Sequence, residues 1–397
     1  MHIYIGIDVA KDKHDFYIMD RNGDKLAGPT TIKNNLSGFK LLFDTIEVIQ
    51  EKVNCTKDST YVGLESTGHY SNNLLNSLHQ QSFTIFLLNP KLVSDYRKSK
   101  SLRKTKTDQT DARTIAALVR DKYQQLRPYT SQSYHMTELK AVTRYRHKLI
   151  TERSQMKNSV KRLVNVLFPE LESEIVDIHN LTSYTLLQEL PGASYIADVH
   201  LTKLKHLISQ SSHNWYGADK ALRIREKARS SIGTMSAVTS FELQNTIRRI
   251  MSLSKDIAKA DELIQQHQQA LGYSLESIPG ISIVLSATIL AEIGEIKRFS
   301  HPDKLVAFTG ICPSIYQSGK YLAKHAKMEK RGSKALRRAM MQAAEQVSRH
   351  DQHFNRLYTK KRAEGKAYRV AISHVARNLT RVIYRMYLTK TPYQCQG

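Results

Sequence analysis

The chain has 397 residues, 41% of them hydrophobic, which is enough for two or three domains with buried cores. Its 60 lysines and arginines against 36 aspartates and glutamates give a formal charge of +24, which favours a polyanionic partner, most simply nucleic acid. Only three cysteines occur, without metal-ligand spacing, so neither a disulfide framework nor a zinc module is indicated. No apolar run approaches the ~20 residues of a membrane span, so no transmembrane segment is expected.

Residues 1–125 are predicted to form an α/β domain. Alternating apolar residues predict strands at "HIYIGIDVA" and "KHDFYIMD", with a weaker strand at "GPTTI". A helix at "LSGFKLLFDTIEVIQ", a strand at "STYVGLES", a helix at "HYSNNLLNSLHQQ", a strand at "FTIFLLNP" and a helix from "DQTDARTIAAL" follow. This order, β-β-β-α-β-α-β-α, resembles the ribonuclease H architecture.

Residues 126–270 are predicted to be helical. One heptad stripe contains Val142, Leu149, Met156 and Leu163, and a second contains Leu243, Ile250, Ile257 and Ile264. The second stripe is interrupted by Ser254 and Asp261. These patterns predict an antiparallel helical hairpin with an inserted helical piece around Trp215. Periodicity alone supports a bundle within one chain and a coiled coil between chains equally.

Residues 271–397 are predicted to form a mostly helical C-terminal domain with a basic tail. The stretch "LESIPGISIVLSATILAEIG" has a Pro-Gly turn before an apolar helix, which resembles a helix-hairpin-helix whose turn amides can approach a phosphate backbone. An ordinary turn is the alternative interpretation.

Four carboxylates have the pattern of a metal site. Asp8 and Glu65 each lie in an apolar strand, where acids are depleted, and Asp108 and Asp111 share one helical face. Asp108 and Asp111 are also explained by helix capping and the helix dipole. Together, however, the four acids indicate two hard divalent ions, Mg²⁺ or Mn²⁺, of the kind that cleave phosphodiesters.

Three motifs, "GIDVAKDKHDF", "GLESTGHY" and "KTDQTDARTIAAL", resemble the N-terminal Asp-Glu-Asp-Asp domain of a family of bacterial insertion-sequence transposases. That family is related to the Piv-type DNA invertases and similar in fold to the RuvC resolvase. The block that begins "SIPGISIVLSATILAEIGEIKRF" resembles its C-terminal transposase domain. The resemblance implies that Asp8, Glu65, Asp108 and Asp111 bind the metal, and that Ser318 in "YQSGK" attacks DNA to form a covalent link.

The resemblance also implies partners: donor and target DNA, a structured noncoding guide RNA that pairs with both, and further copies of the chain in a homodimer or homotetramer. A cytoplasmic location in a bacterium, at the nucleoid when bound to DNA, is expected. The residues predicted to contact nucleic acid are basic and lie before Asp108 or around Ser318: Arg97, Lys98, Lys100, Arg103, Lys104, Lys106, Lys320, Lys330, Arg331, Arg337 and Arg338.

Two alternatives remain at the level of sequence. A RuvC-like endonuclease that uses water as its nucleophile accounts for the four carboxylates but leaves the C-terminal block unexplained. A non-catalytic nucleic-acid-binding regulator accounts for the charge but has no need of all four acids.

Overall fold

The fold is taken from a computed structural model that describes residues 1–65, 70–100, 108–213, 215–312, 317–318, 321–322, 328, 330 and 332–394. The chain divides into two compact units, Met1–Tyr134 and His135–Gly397. The three-domain division at residues 125 and 270 stays a prediction. Within the described ranges, no helix is both long enough and apolar enough to cross a membrane.

The first unit is built on a mixed five-stranded sheet with the order β3-β2-β1-β4-β5. The three N-terminal strands pair antiparallel, whereas β1, β4 and β5 run parallel. The strands are β1 (Ile3–Val9), β2 (Lys13–Asp20), β3 (Lys25–Lys33), β4 (Thr60–Glu65) and β5 (Thr84–Leu88). The helices are α1 (Leu36–Lys52), α2 (Asn72–Gln80), α3 (Pro90–Lys100) and α4 (Asp108–Lys122). The predicted α/β character of this region is confirmed.

The two faces of the sheet pack against different helices because side chains alternate along each strand. Ile3, Ile5 and Ile7 point into a core shared with α1 and α2. Tyr4 belongs to the opposite core, which contains Ile115 and the rest of the buried face of α4. Gly6 and Asp8 alternate in phase with Tyr4, so they lie on the α4 face.

Gly6 allows α4 to lie directly on β1. A Cβ atom at residue 6 would be 2.1 Å from the carbonyl oxygen of Ala112 and 2.2 Å from the amide nitrogen of Ala116. Both are backbone atoms, so a side chain cannot be accommodated by a rotamer change. Glycine at residue 6 therefore sets how closely the helix that carries Asp111 approaches the strand that carries Asp8.

We expect Gly6→Ala to destabilise the first unit by about 3 kcal/mol, the upper range for overpacking, because α4 must move away from the sheet. The measurement is urea unfolding followed by circular dichroism. Gly217→Ala is the matched control, because a Cβ atom at residue 217 would meet no heavy atom within 4 Å. The free energy of unfolding should then change only through the loss of a favourable N-cap residue, by at most about 1 kcal/mol. Equal stability of the two variants would contradict the prediction.

The helix α3 was not predicted from the sequence, which we interpreted as a basic run leading to Asp108. The side chain of Asn89 accepts a hydrogen bond from the backbone N–H of Lys91 (2.8 Å), and Pro90 occupies the first helical position. Asparagine followed by proline is a helix-start signal. The helix matters because it presents Tyr96 and Arg97 to α4.

Two long helices, α5 (Ser131–Leu167) and α11 (Ala237–Leu271), dominate the second unit, which contains all of α5 except its first four residues. Shorter helices are inserted between them in the chain. Hydrogen bonds join Arg153 to Ser254 (3.2 Å) and Arg162 to Glu242 (2.8 Å). The residue that comes earlier on α5 is thus bonded to the residue that comes later on α11. The pair is therefore antiparallel. The inserted helices are α6 (Leu171–Glu174), α7 (Leu181–Glu189), α8 (Ala193–Asp198), α9 (Leu201–Ser211) and α10 (Ala218–Arg229).

The polar residues that interrupt the second heptad stripe have partners on α5. Asp261 accepts hydrogen bonds from Arg146, and Ser254 accepts one from Arg153. Leu149, Leu253 and Ile257 form a small apolar cluster between these polar contacts. Packing within one chain thus accounts for the periodicity, and a coiled coil between chains stays a prediction.

The remainder of the second unit is mostly helical, as predicted. Its elements are α12 (Ile283–Ile293), α13 (Pro302–Thr309), β6 (Gln317–Ser318), β7 (Tyr321–Leu322), α14 (Lys334–His350), α15 (Gln352–Ala363) and α16 (Tyr368–Thr389). One detail differs from the helix-hairpin-helix interpretation. The helix before the Pro-Gly turn ends at Leu271, where Gly272 takes a left-handed conformation, and the chain between there and α12 buries Leu275 and Ile278.

Candidate active site

Asp8 and Glu65 lie side by side at the C-terminal ends of the neighbouring strands β1 and β4. These strands are parallel, and their last paired residues are Ile7 and Leu64. The next residue on each strand is Asp8 on one and Glu65 on the other. Because residues in register on adjacent strands project to the same face, both carboxylates are on the α4 side of the sheet.

The helix α4 runs antiparallel to these strands, so its first turn lies towards their C-terminal ends. Its C-terminal end is followed by Tyr123, whose ring lies 5.6 Å from that of Tyr4 and 4.7 Å from that of Tyr61, near the beginnings of β1 and β4. Its middle contacts Gly6, and its first turn holds Asp108 and Asp111. The backbone thus brings β1, β4 and the first turn of α4, which carry the four predicted acids, towards one end of the parallel strands.

Asp111 is held by an arginine from α3. Asp111 as a residue is 5% exposed, and its carboxylate accepts a hydrogen bond of 2.5 Å from Nη1 of Arg97. Arg97, which we predicted to contact nucleic acid, therefore neutralises one of the predicted metal ligands. A cation that bound Asp111 would compete directly with this guanidinium.

A second contact fixes α3 against α4. The Tyr96 hydroxyl donates to Oδ2 of Asp121 (2.6 Å), and Nζ of Lys100 lies 3.1 Å from the same carboxylate oxygen. Burial opposes ionisation of Asp121, yet hydrogen bonds from Tyr96, Lys100 and Arg120 lower its pKa. Burial first, and then the Asp121 carboxylate, raise the pKa of Tyr96. These contacts keep Arg97 beside Asp111.

Sequence reasoning missed a fifth acid beside the predicted four. Asp15 on β2 pairs directly with Asp8 on β1, so both lie on the α4 face, and it is 3% exposed. Its carboxylate accepts a hydrogen bond from Thr31 and lies 3.7 Å from Nζ of Lys13. The signal was present, because "KHDF" places an acid in an apolar strand just as "GIDV" does.

The chemistry of these residues fits a hard divalent cation, whose preferred ligands are carboxylate oxygens. Among the residues described, no group of three or more His, Cys, Asp or Glu side chains is arranged to hold a metal ion. The contact between Arg97 and Asp111 is one physical reason. The backbone arrangement therefore suits a metal site, whereas the Asp111 side chain is held in an ion pair with Arg97.

Several predicted site residues have limited or no structural description. The backbone of Ser318 pairs with that of Tyr321 in the β6–β7 hairpin. Lys330 is exposed, its carbonyl accepts a hydrogen bond from Arg337 (3.0 Å), and Arg338 is half-buried. Five predicted nucleic-acid contacts lie outside the described residues: Arg103, Lys104, Lys106, Lys320 and Arg331.

Comparisons with known proteins identify the family of this chain. The family model DEDD_Tnp_IS110, described as a transposase, matches residues 5–169, and a model described as the transposase IS116/IS110/IS902 family matches residues 273–359. A mini-circle protein of Streptomyces coelicolor, named as a candidate transposase for IS117, is 24% identical over 80% of this chain and 78% of its own length. The insertion element IS116 44.8 kDa protein of Streptomyces clavuligerus is 23% identical over 98% of this chain and 95% of its own.

These findings define a DNA-processing enzyme of the transposase class. The two family models flank the middle of the chain and together cover more than half of it. The chain belongs to the IS110/IS116/IS902 family of insertion-sequence transposases.

Proposed function

We propose that this transposase cleaves and rejoins DNA with divalent metal ions held by Asp8, Glu65, Asp108 and Asp111. The observation that carries the proposal is the register of β1 and β4, which places Asp8 beside Glu65 on the face that α4 covers. The strand order β3-β2-β1-β4-β5 supports a ribonuclease H or RuvC-like domain as the scaffold.

Asp8, Glu65, Asp108 and Asp111 would hold the divalent ions, and bound divalent ions would supply charge stabilisation for both the attacking and the leaving oxygen. Release of Asp111 from Arg97 is the local change that would complete the ligand set. Arg97 would then be free to approach a phosphate, a group that guanidinium binds in a bidentate manner. The predicted role of Arg97 in nucleic-acid binding is compatible with its position on this reasoning.

Ser318 is the proposed nucleophile. Its hydroxyl loses its proton, an Oγ–P bond forms, and the bond from phosphorus to one deoxyribose oxygen breaks as that oxygen takes up a proton. Rejoining reverses these steps with a DNA hydroxyl as the attacking group. A covalent phosphoserine conserves the energy of the broken bond, so no separate energy source is needed for joining.

The proposal includes a structured noncoding RNA that pairs with donor and target DNA, and a homodimer or homotetramer that handles several strands. The formal charge of +24 supports binding of nucleic-acid backbones. In other RNA-guided enzymes, base pairing with the RNA identifies the DNA sequence and the protein binds the nucleic-acid backbone.

The test is to incubate the full-length protein with DNA containing the ends of its element, with and without the RNA from the element's flank, in Mg²⁺ or in EDTA. We expect a denaturation-resistant protein–DNA adduct in Mg²⁺ only, with the phosphate mapped to Ser318 by mass spectrometry. Cut DNA without an adduct would identify a water-dependent nuclease. Binding without any chemistry in Mg²⁺ would identify a non-catalytic regulator.

A further inference from the structure

Four cations from two helices line a cavity of about 620 Å³ in the second unit. Lys140 and Arg144 come from α5, and Lys334 and Arg338 come from α14. Glu292 of α12 is the one carboxylate in the lining, so four cations against one anion leave a formal charge of +3 with His147 neutral. Such a concentration of like charge is unfavourable unless an anion is bound.

Among the described residues, Glu292 forms a hydrogen-bonded ion pair with only one of these cations, Arg144, and acts on Lys140 and Arg338 through its charge alone. It is 1% exposed and accepts hydrogen bonds from Nε (2.6 Å) and Nη2 (3.0 Å) of Arg144. Burial opposes its ionisation, but the hydrogen bonds from Arg144 and Ser333 lower its pKa, so it remains charged. Within the described part of the chain, neither Lys140 nor Arg338 forms an ion pair with a carboxylate.

The free cations are partly removed from water. The pKa of Lys140 is lowered, chiefly by burial, and burial also lowers the pKa of Arg338. Burial first, and then the charges of Arg338, Arg146 and Lys334, lower the pKa of His147. A bound anion would relieve each of these penalties, because it would stabilise the charged forms.

The cavity also lies at the base of the segment that carries Ser318. That segment leaves α13 and returns where the backbone N–H of Lys330 donates to Gly310 (3.2 Å) and that of Ser333 donates to Phe308 (3.2 Å). Phe308 and Ser333 both line the cavity. Ser333 then caps α14, and its hydroxyl donates to Glu292 (2.7 Å).

We propose that this cavity binds a backbone phosphate of a nucleic-acid strand and so anchors that strand beside the Ser318 segment. Convergent Lys and Arg side chains with a helix N-terminus are the donors that phosphate groups use. The inference rests on the proposed function, since it assumes that a DNA or RNA strand is handled there. It assigns a binding role to Lys140 and Lys334, which the sequence did not identify.

The test measures binding without chemistry, in EDTA, so that a failure here is distinguishable from a failure of the proposed catalysis. A Lys140→Gln, Arg338→Gln double variant is compared with wild type by fluorescence anisotropy across a salt series, using labelled duplex DNA and single-stranded RNA. The slope of log affinity against log salt is negative. We expect its magnitude to decrease by about 0.9 for DNA or about 0.7 for RNA per lost phosphate contact. The strand type that responds is the one anchored in the cavity.

The matched control is Lys255→Gln, Lys259→Gln, which removes the same charge from exposed residues of α11. The charge-keeping pair Lys140→Arg, Arg338→Lys should retain the wild-type slope. Lys334→Gln, at an exposed residue, should decrease the magnitude of the slope even if the double variant folds poorly. Equal slopes for the cavity and control variants, or an unchanged slope in Lys334→Gln, would overturn the proposal.

Discussion

Asp8→Asn should lower DNA cleavage by at least about 10³-fold, which corresponds to the loss of about 4 kcal/mol of transition-state stabilisation. Asparagine has the shape of aspartate but lacks the charge that a divalent cation requires, and Asp8 lies in register with Glu65 at the edge of the sheet. The measurement is the rate of strand cleavage at saturating Mg²⁺, together with Mn²⁺ affinity by calorimetry.

The control for this variant is Asp12→Asn. Asp12 is exposed in the connection between β1 and β2, so its replacement makes the same change of charge close to Asp8 without altering the α4 face. We expect cleavage by Asp12→Asn to match wild type. A fully active Asp8→Asn protein with unchanged Mn²⁺ affinity would remove Asp8 from the ligand set and with it the proposed metal mechanism.

The sheet could be predicted from the sequence because its strands have a strong two-residue period. Ile3, Ile5 and Ile7 repeat on one face, and the intervening residues of β1 are suited to the other. The local sequence around Gly6 does not show why glycine is required there. The requirement comes from contact with α4, which lies more than a hundred residues later in the chain. Close approach between distant segments is a tertiary property.

The ion pair between Arg97 and Asp111 illustrates a different limit. The sequence predicts a nucleic-acid contact for Arg97, although a guanidinium binds a carboxylate as readily as a phosphate. The choice depends on α3, whose start at Asn89 and Pro90 was overlooked. Once that helix is present, Arg97 reaches Asp111 and Tyr96 reaches Asp121.

The basic cavity could not be predicted because its parts come from four helices. Arg144 and Glu292 are 148 residues apart, and neither lies in a motif that indicates chemistry. In an apolar helix such as α12, a buried glutamate predicts only that some cation must approach it. The packing of α5 against α12 and α14 determines which cation pairs with Glu292. The same packing brings further cations close to that glutamate.

Ser318→Ala should abolish both the covalent adduct and strand joining, because alanine has no oxygen to bond to phosphorus. The substitution removes one hydroxyl from a two-residue strand, so the hairpin with Tyr321 should form unchanged. Ser314→Ala, four residues earlier in the same segment, is the control and should form the adduct at the wild-type rate.

The outcome for Ser318→Ala separates the mechanisms because the metal ligands are untouched by the change. If the variant still binds Mn²⁺ and cuts DNA but cannot join it, water has replaced the serine and the carboxylates act as a nuclease site. If it neither cuts nor joins while metal and nucleic-acid affinity remain, the serine is the sole nucleophile. Complete strand exchange by Ser318→Ala would contradict the serine mechanism and direct the search to another hydroxyl of the second unit.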